Sequence, residues 1–388
     1  MDTRSTSDVF SVSIYDYVTT GECTGFRWNL LNSTEDKLND FLSPVFTRIM
    51  VLFLHPLCAV FGLLGNLSFM FIVWKVPYMR NSINIILLNL SVADFLFLLV
   101  GTGIKFVNLL NSPVFGDSFI VGHICHCLII IPLLNVVSFA SLLLVSLISV
   151  ERYMAVCKPN QYLKMTCRRT LSCLSFVWVF SFALAAFLMP STMDFVTVCV
   201  QWPNSQPYEK FPTKVGFCNA KSDFWYSVNE FLQIFPFFVA LLLNVFCFAR
   251  IFPRFYGRLT FKRPQEQAQQ YDHITTTLTD STNAATKMLL INGIAFFILA
   301  TPFHVTSAIQ FVESVSSNWW CGCREFKDIS ILLLYVNSAV NPFIYGMTNP
   351  NYRRAYYSVF CQNRYNVRRN RRTVTPSDNQ SEKISTYV

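Results

Sequence analysis

Seven long apolar runs, separated by short polar stretches, dominate the chain. They fall at roughly 46–74, 82–110, 123–156, 170–190, 225–252, 285–313 and 328–347. Each reaches the roughly 20 residues a helix needs to cross about 30 Å of hydrocarbon. Backbone in lipid must satisfy its own hydrogen bonds, so such runs predict helices rather than isolated strands. The pattern predicts an all-α membrane protein: a seven-transmembrane helix bundle over 46–348, an N-terminal segment over 1–45 and a tail over 349–388. The tail opens with "NYRRAYYSVF" at 351–360, whose basic and aromatic spacing suits a short amphipathic helix lying on the membrane.

Composition agrees. Of 388 residues, 53% are hydrophobic and only 14% charged, against about 25% charged in soluble domains. The opening residues lack a basic start followed by an apolar core, so no cleavable signal peptide is expected and the first span is read as the targeting element. Charge then sets the orientation. The connections after the first, third and fifth runs carry Lys75 and Arg80; Lys158, Lys164, Arg168 and Arg169; and Arg254, Arg258, Lys262 and Arg263. Basic loops stay in the cytoplasm, which predicts an extracellular N-terminus and a cytoplasmic C-terminus. The ends agree, with seven Asp/Glu against three Lys/Arg in 1–45 and eight Lys/Arg against two Asp/Glu in 350–388. Beside membrane spans the basic tail reads as topology plus attraction to anionic lipid, not as nucleic-acid binding. The sequon at Asn32 fits an outside N-terminus, whereas those at Asn66 and Asn89 fall inside spans. The connection at 253–283 is polar and is read as a mobile loop.

The polar residues inside the spans carry the candidate chemistry. Asp94 lies mid-span, where a carboxylate costs about 2.5–3.5 kcal/mol on insertion scales and normally faces a bundle interior. Asn66, Ser141, Asn337 and Asn341 lie in spans that could surround it. Carboxylate, hydroxyl and amide oxygens are hard-cation ligands, so a hydrated cluster holding a sodium ion is a candidate; no other cofactor is implied. Pro236, Pro302 and Pro342 interrupt the last three spans and are expected to bend them. The third span ends in the adjacent Glu151 and Arg152, then Tyr153, read either as a snorkelling helix end or as a functional pair.

These residues together resemble the class A (rhodopsin-like) G-protein-coupled receptors. The likeness covers roughly 46–360 and rests on Gly65-Asn66, on "NLSVAD" from Asn89 to Asp94, on Glu151-Arg152-Tyr153, Trp178, Pro236 and Pro302, and on "NPFIY" from Asn341 to Tyr345. The resemblance implies a receptor, not an enzyme, that couples an extracellular ligand to a heterotrimeric G protein. It implies that Glu151 holds Arg152 at rest, that Asn341, Pro342 and Tyr345 rearrange with it, and that Leu142, Pro236 and Phe296 couple the motion. It also implies a sodium pocket of Asp94, Ser141, Asn337 and Asn341. The chain departs from the family at Ala300, where a Trp is usual, at Asn244, where a Tyr is common, and at the start of span six, which lacks an acidic partner for Arg152.

The family's disulfide joins the top of span three, here Cys127, to the second outer loop. "TVCVQWPNSQPYEK" resembles the hairpin loop of peptide-binding receptors and favours Cys199 as partner, with Cys218 as the alternative; Cys23, Cys321 and Cys323 stay open. Family pocket positions correspond to Lys105, Leu134, Asn135, Ser138, Phe303, His304, Ser307, Gln310 and Tyr335. Leu134 replaces the Asp of amine receptors, and Tyr335 replaces the retinal-linked Lys of opsins. Lys105 is read either as partner of an anionic ligand group or as snorkelling to headgroups. A neuropeptide or peptide hormone is the leading ligand class, with a lipid or chemosensory small molecule as the alternative. A transporter is the competing class, against which stands the absence of an internal repeat.

Three further sites concern the tail. Cys361 follows the amphipathic stretch and is a candidate for palmitoylation. The Ser and Thr residues beyond it would, once phosphorylated, offer charge to arrestin. Thr386 and Val388 give the terminus the form that PDZ domains capture.

Overall fold

A computed structural model describes residues 16–20, 23–162, 167–260, 271–316 and 324–361. It contains seven helices long and apolar enough to cross a membrane: Val45–Lys75, Ser82–Asn111, His123–Cys157, Arg168–Phe187, Asp223–Gly257, Asn283–Ser316 and Glu325–Thr348, here spans one to seven. The helices of spans five and six run on into the connection expected to be a loop, over Asp223–Thr260 and from Tyr271. Propagation adds one hydrogen bond per residue to a helix already nucleated in the membrane.

Local chemistry places the ends. Asn81 caps span two by accepting from the Asn84 backbone N–H at 3.0 Å. Spans one and three each contain a stretch of π-helix, Met50–Leu54 and His123–Ile130, shortly before Pro56 and Pro132. A proline lacks the N–H and crowds the carbonyl four residues back, and a widened turn relieves both. Pro236, Pro302 and Pro342 lie inside helices that continue through them. After span seven, Asn349 caps the helix Pro350–Phe360 by accepting from the Asn351 N–H at 3.0 Å. That helix buries Tyr352 and Ala355 and exposes Tyr357 and Phe360, the amphipathic form the sequence predicts.

The bundle turns apolar side chains to lipid and keeps its polar groups inside, among an apolar core. Phe53, Leu64, Phe176 and Ile298 are exposed, while Asn66, Asp94, Asn244, Asn292, Asn337 and Asn341 are buried. Spans one, two and seven adjoin, span three touches two, four and five, and span six lies between five and seven. Gly62 permits the approach of spans one and seven, since a Cβ there would meet Leu98 and stand 2.8 Å from Ala339 Cβ.

The N-terminal segment is not a separate unit. Strands β1 (Asp16–Thr20) and β2 (Cys23–Asn29) form a hairpin, and β2 pairs in parallel with β3 (Asp194–Gln201), which pairs antiparallel with β4 (Lys214–Asn219). A second apolar core fastens this sheet to the end of the bundle. Trp28, Leu30, Leu38, Phe41, Val114, Val198, Trp202 and Val215 are buried together, with the Trp28 and Phe41 rings 4.8 Å apart.

The register of the sheet corrects the expected disulfide. Cys127 is bonded to Cys218, with Cα atoms 5.6 Å apart, and not to Cys199. Cys218 pairs with Phe195 near the end of β4 beside span three, whereas Cys199 lies farther along β3, between Lys214 and Arg27. Cys199 is itself disulfide-bonded. Cys321 and Cys323 lie outside the described residues.

Candidate functional site

A chain of buried polar groups runs from the middle of the bundle to the end opposite the sheet. At its centre is Asp94, 1% exposed. Its Oδ1 accepts from Ser141 Oγ at 3.1 Å and its Oδ2 from Asn341 Nδ2 at 2.6 Å, with Ser338 close by. Spans two, three and seven therefore meet on one carboxylate. Asn66 Nδ2 donates to the Gly62 and Ser338 carbonyls, tying span one to the same point. The buried Oδ1 atoms of Asn66 and Asn337 have no hydrogen-bond partner among the described residues. The oxygens of Asp94 and Ser141, and the unpartnered amide oxygen of Asn337 one turn before Asn341 on span seven, are of the kind a hard cation takes. Asn341 differs from expectation, because its amide N–H₂ faces Asp94 and serves the carboxylate as a donor.

One to two turns further, Tyr345 is completely buried with its ring 5.2 Å from Phe69 and 5.8 Å from Tyr352, and its hydroxyl has no partner among the described residues. Tyr352, on the helix after span seven, donates its hydroxyl to Asn84 Oδ1 of span two. Burial holds that phenol's ionisation well above its ordinary range, so it remains a donor.

Glu151 and Arg152 form a buried ion pair at this end. Arg152 Nη2 is 2.5 Å and Nε 2.6 Å from Glu151 Oε2, with the side chains 8% and 5% exposed. The second carboxylate oxygen accepts from the Tyr162 hydroxyl at 2.5 Å. Tyr162 ends a single helical turn, Pro159–Tyr162, directly after span three. Burial, with the Glu151 charge beside it, holds its ionisation well above the usual range. Sequence reading missed this residue, which carries no motif of its own. Tyr153 points away, its ring 5.9 Å from Phe246 and below Lys158 Nζ at 5.8 Å.

Asn244, where relatives of the resemblance carry Tyr, is completely buried and bound to span three. Its Nδ2 donates to Ser146 Oγ at 3.1 Å and its Oδ1 accepts from Ser149 Oγ. Ala300 sits in the main core beside Leu142 and Phe296. One turn along span six, His304 lies flat on Phe237 with centroids 3.8 Å apart, and Phe297 is 5.6 Å from Phe237. Phe296, Ala300 and His304 recur every four residues along one face of span six, so a bulky residue at 300 would face the same cluster. Pro236, beside Phe237, is half-buried.

Toward the sheet, Asn135 Oδ1 accepts from Gln233 Nε2 at 3.4 Å, joining spans three and five. Leu134, Ser138, Phe303 and Gln310 are half-buried around the same region, and Ser307 is buried. Tyr335 is turned elsewhere: 2% exposed, it meets His55 edge-on at 4.9 Å and Phe97 at 5.4 Å, among spans one, two and seven. Lys105 stands near the same wall within electrostatic reach of Asp328. Asp328 is buried and accepts from Thr47 Oγ1 at 2.5 Å. Among the described residues Lys105 forms no ion pair, and neither sequence reading foresaw Asp328 as the acid nearest in charge reach.

The order and geometry of these groups match a known family. A model described as 7 transmembrane receptor (rhodopsin family) matches residues 65–345. The chain belongs to the rhodopsin family of seven-transmembrane receptors. It is 28% identical over 334 residues to neuromedin-U receptor 2 of Mus musculus, covering 85% of this chain and 80% of that protein. It is 28% identical over 336 residues to neuromedin-U receptor 2 of Homo sapiens, covering 85% and 76%. Somatostatin receptor type 4 of Rattus norvegicus is 25% identical over 319 residues, covering 79% and 72%. This receptor is accordingly a multi-pass plasma-membrane protein.

Among its remaining expected sites, Asn32 is exposed in the turn after β2 and Cys361 is exposed and free at the end of the Pro350–Phe360 helix. Thr386 and Val388 lie outside the described residues. Asn89 is engaged inside the bundle, accepting from Trp178 Nε1 at 2.9 Å.

Proposed function

We propose that this receptor binds a neuropeptide or peptide hormone on its sheet side, outside the cell, and activates a heterotrimeric G protein at its Arg152 end, inside it. The observation that carries the reading is the buried Glu151–Arg152 pair, at the same end of the bundle as Tyr345 and the Tyr352–Asn84 bond. A charge held there by a neighbouring acid, itself bonded to the Tyr162 phenol, is a two-state element, since any partner that takes Arg152 must displace Glu151. The relatives are receptors named for neuromedin-U and somatostatin, which supports a peptide as ligand. The folded sheet supports it too, because strands offer an extended surface to a chain-like ligand.

In this reading ligand contacts near Asn135, Ser138, His304 and Ser307 shift spans five and six against span three. The His304–Phe237 stack takes the position of the missing Trp, and the Asn244 bonds to Ser146 and Ser149 resist the shift. Tyr345, unpartnered in this state, gains a partner when Arg152 is released; a buried unpaired hydroxyl costs about 1–3 kcal/mol, which favours such an exchange. A sodium ion held by Asp94, Ser141 and Asn337 would stabilise the resting form. The Pro350–Phe360 helix lies on the inner lipid surface with Cys361 as its acyl anchor, and the tail serves arrestin and a PDZ domain. The receptor performs no covalent chemistry itself.

Arg152→Ala tests the proposal. At matched surface expression, loss of peptide-evoked second messenger with retained binding is expected; an undiminished response would remove Arg152 from the coupling step.

A further inference from the structure

One buried charge takes no part in the polar path. Glu230 lies on span five, seven residues or about 10 Å along the helix from Asp223 at its sheet end. It is 8% exposed. One oxygen accepts from Asn229 Nδ2 at 3.1 Å, and Ser307 of span six stands close to the carboxylate. Among the described residues it forms no ion pair. The positive charge that reaches it is Lys327, exposed at the start of span seven and beyond ion-pair distance.

Its placement is that of a pocket residue. Phe237 follows seven residues later on the same helical face and lies flat on His304, and Ser307 follows His304 by three. Glu230 and Ser307 therefore form the rung above the Phe237–His304 stack, facing span six. Phe231 and Phe311 close the gap between the spans with rings 5.8 Å apart, and Tyr226 stands within electrostatic reach of Glu230 and Glu313. A carboxylate has about four acceptor sites, and the neighbours named here are neutral, Asn229 bonded to it and Ser307 close by. A buried carboxylate without a cation is expensive to keep, and the aromatic rings around it suit a positive group.

We propose that Glu230 is the subsite for a cationic side chain of the ligand, a guanidinium or an ammonium, with Ser307 and Asn229 orienting the carboxylate and Lys327 as the internal charge it competes with. This rests on the peptide reading above and names which kind of side chain the peptide must carry.

The test uses the full receptor in lipid nanodiscs with three small probes: Nα-acetyl-argininamide, Nα-acetyl-lysinamide and the neutral Nα-acetyl-citrullinamide. Binding is read by concentration-dependent thermal shift. At least one cation is expected to bind on the order of tenfold tighter than citrullinamide, as for a close charge pair. Glu230→Gln should abolish that preference. Lys327→Gln, an exposed change that leaves folding alone, should enlarge it. Equal binding of cations and citrullinamide by the wild type, or a preference that survives Glu230→Gln, would overturn the proposal. Should Glu230→Gln fail to fold, an unchanged preference in Lys327→Gln overturns it instead. No G protein enters this assay, so failure of the signalling reading would show separately, as cation binding without nucleotide exchange.

Discussion

Replacing Tyr162 by Phe isolates one bond of the resting latch. The hydroxyl donates to Glu151 Oε1 at 2.5 Å, and the acceptor residue is 4% exposed, so solvent does little to replace it. Hydrogen bonds to charged groups are worth about 1.5–3 kcal/mol. If the bond exists only while Glu151 holds Arg152, its loss shifts the resting-to-active ratio by roughly 10- to 150-fold. The ring itself remains, so packing is preserved. Basal nucleotide exchange on G protein, measured with receptor numbers matched, should therefore rise by a large part of that factor while the active state is a minor population. Glu151→Gln, which also breaks the ion pair, should raise it at least as far. Basal exchange that stays level in Tyr162→Phe while Glu151→Gln raises it would refute the reasoning, because the phenol would then be bonding equally in both states.

Other parts of the structure give equally direct expectations. Cys127→Ala and Cys218→Ala should each lower surface expression and thermal stability, and the double variant should be no worse than either, since the bond closes 91 residues of chain and such cross-links are worth about 2–5 kcal/mol. Restoring the bulk at position 300 with Ala300→Trp should destabilise by about 1–3 kcal/mol through overpacking against buried neighbours, and adding His304→Ala should recover part of it in a thermal melt. Asp94→Asn should abolish any effect of sodium on agonist affinity measured against N-methylglucamine; a sodium effect of wild-type size in that variant would dissociate the ion from this carboxylate.

The spans were legible because lipid reverses the usual rule: long apolar runs must be helices, and the residues that break the pattern must face inward. Asp94, Ser141 and Asn341 were found by that logic, and the structure brings them together. Glu230 breaks the apolar pattern of span five in the same way but belongs to none of the family motifs. Tyr162 and Asp328 could not be read, since each acts through a contact across separate elements: one from a loop to span three, the other from span seven to span one. The joining of β2 to β3 was hidden for the same reason. "CTGFRWN" and "DFVTVCVQ" have strand character, but their parallel pairing crosses more than 160 residues, from Phe26 to Val198, and leaves no local mark. The wrong disulfide partner followed from that gap, because only the sheet's register decides which cysteine of the hairpin stands beside span three.

If Arg152 is the group through which an outside ligand acts on a G protein, nucleotide exchange must depend on it. The direct measurement is nucleotide exchange on purified heterotrimeric G proteins by the receptor in nanodiscs, challenged with an arrayed peptide library and repeated with Arg152→Ala. A peptide that accelerates exchange with the wild type and binds Arg152→Ala without accelerating it is the result expected. Peptide-stimulated exchange of equal rate with both proteins would contradict the central claim.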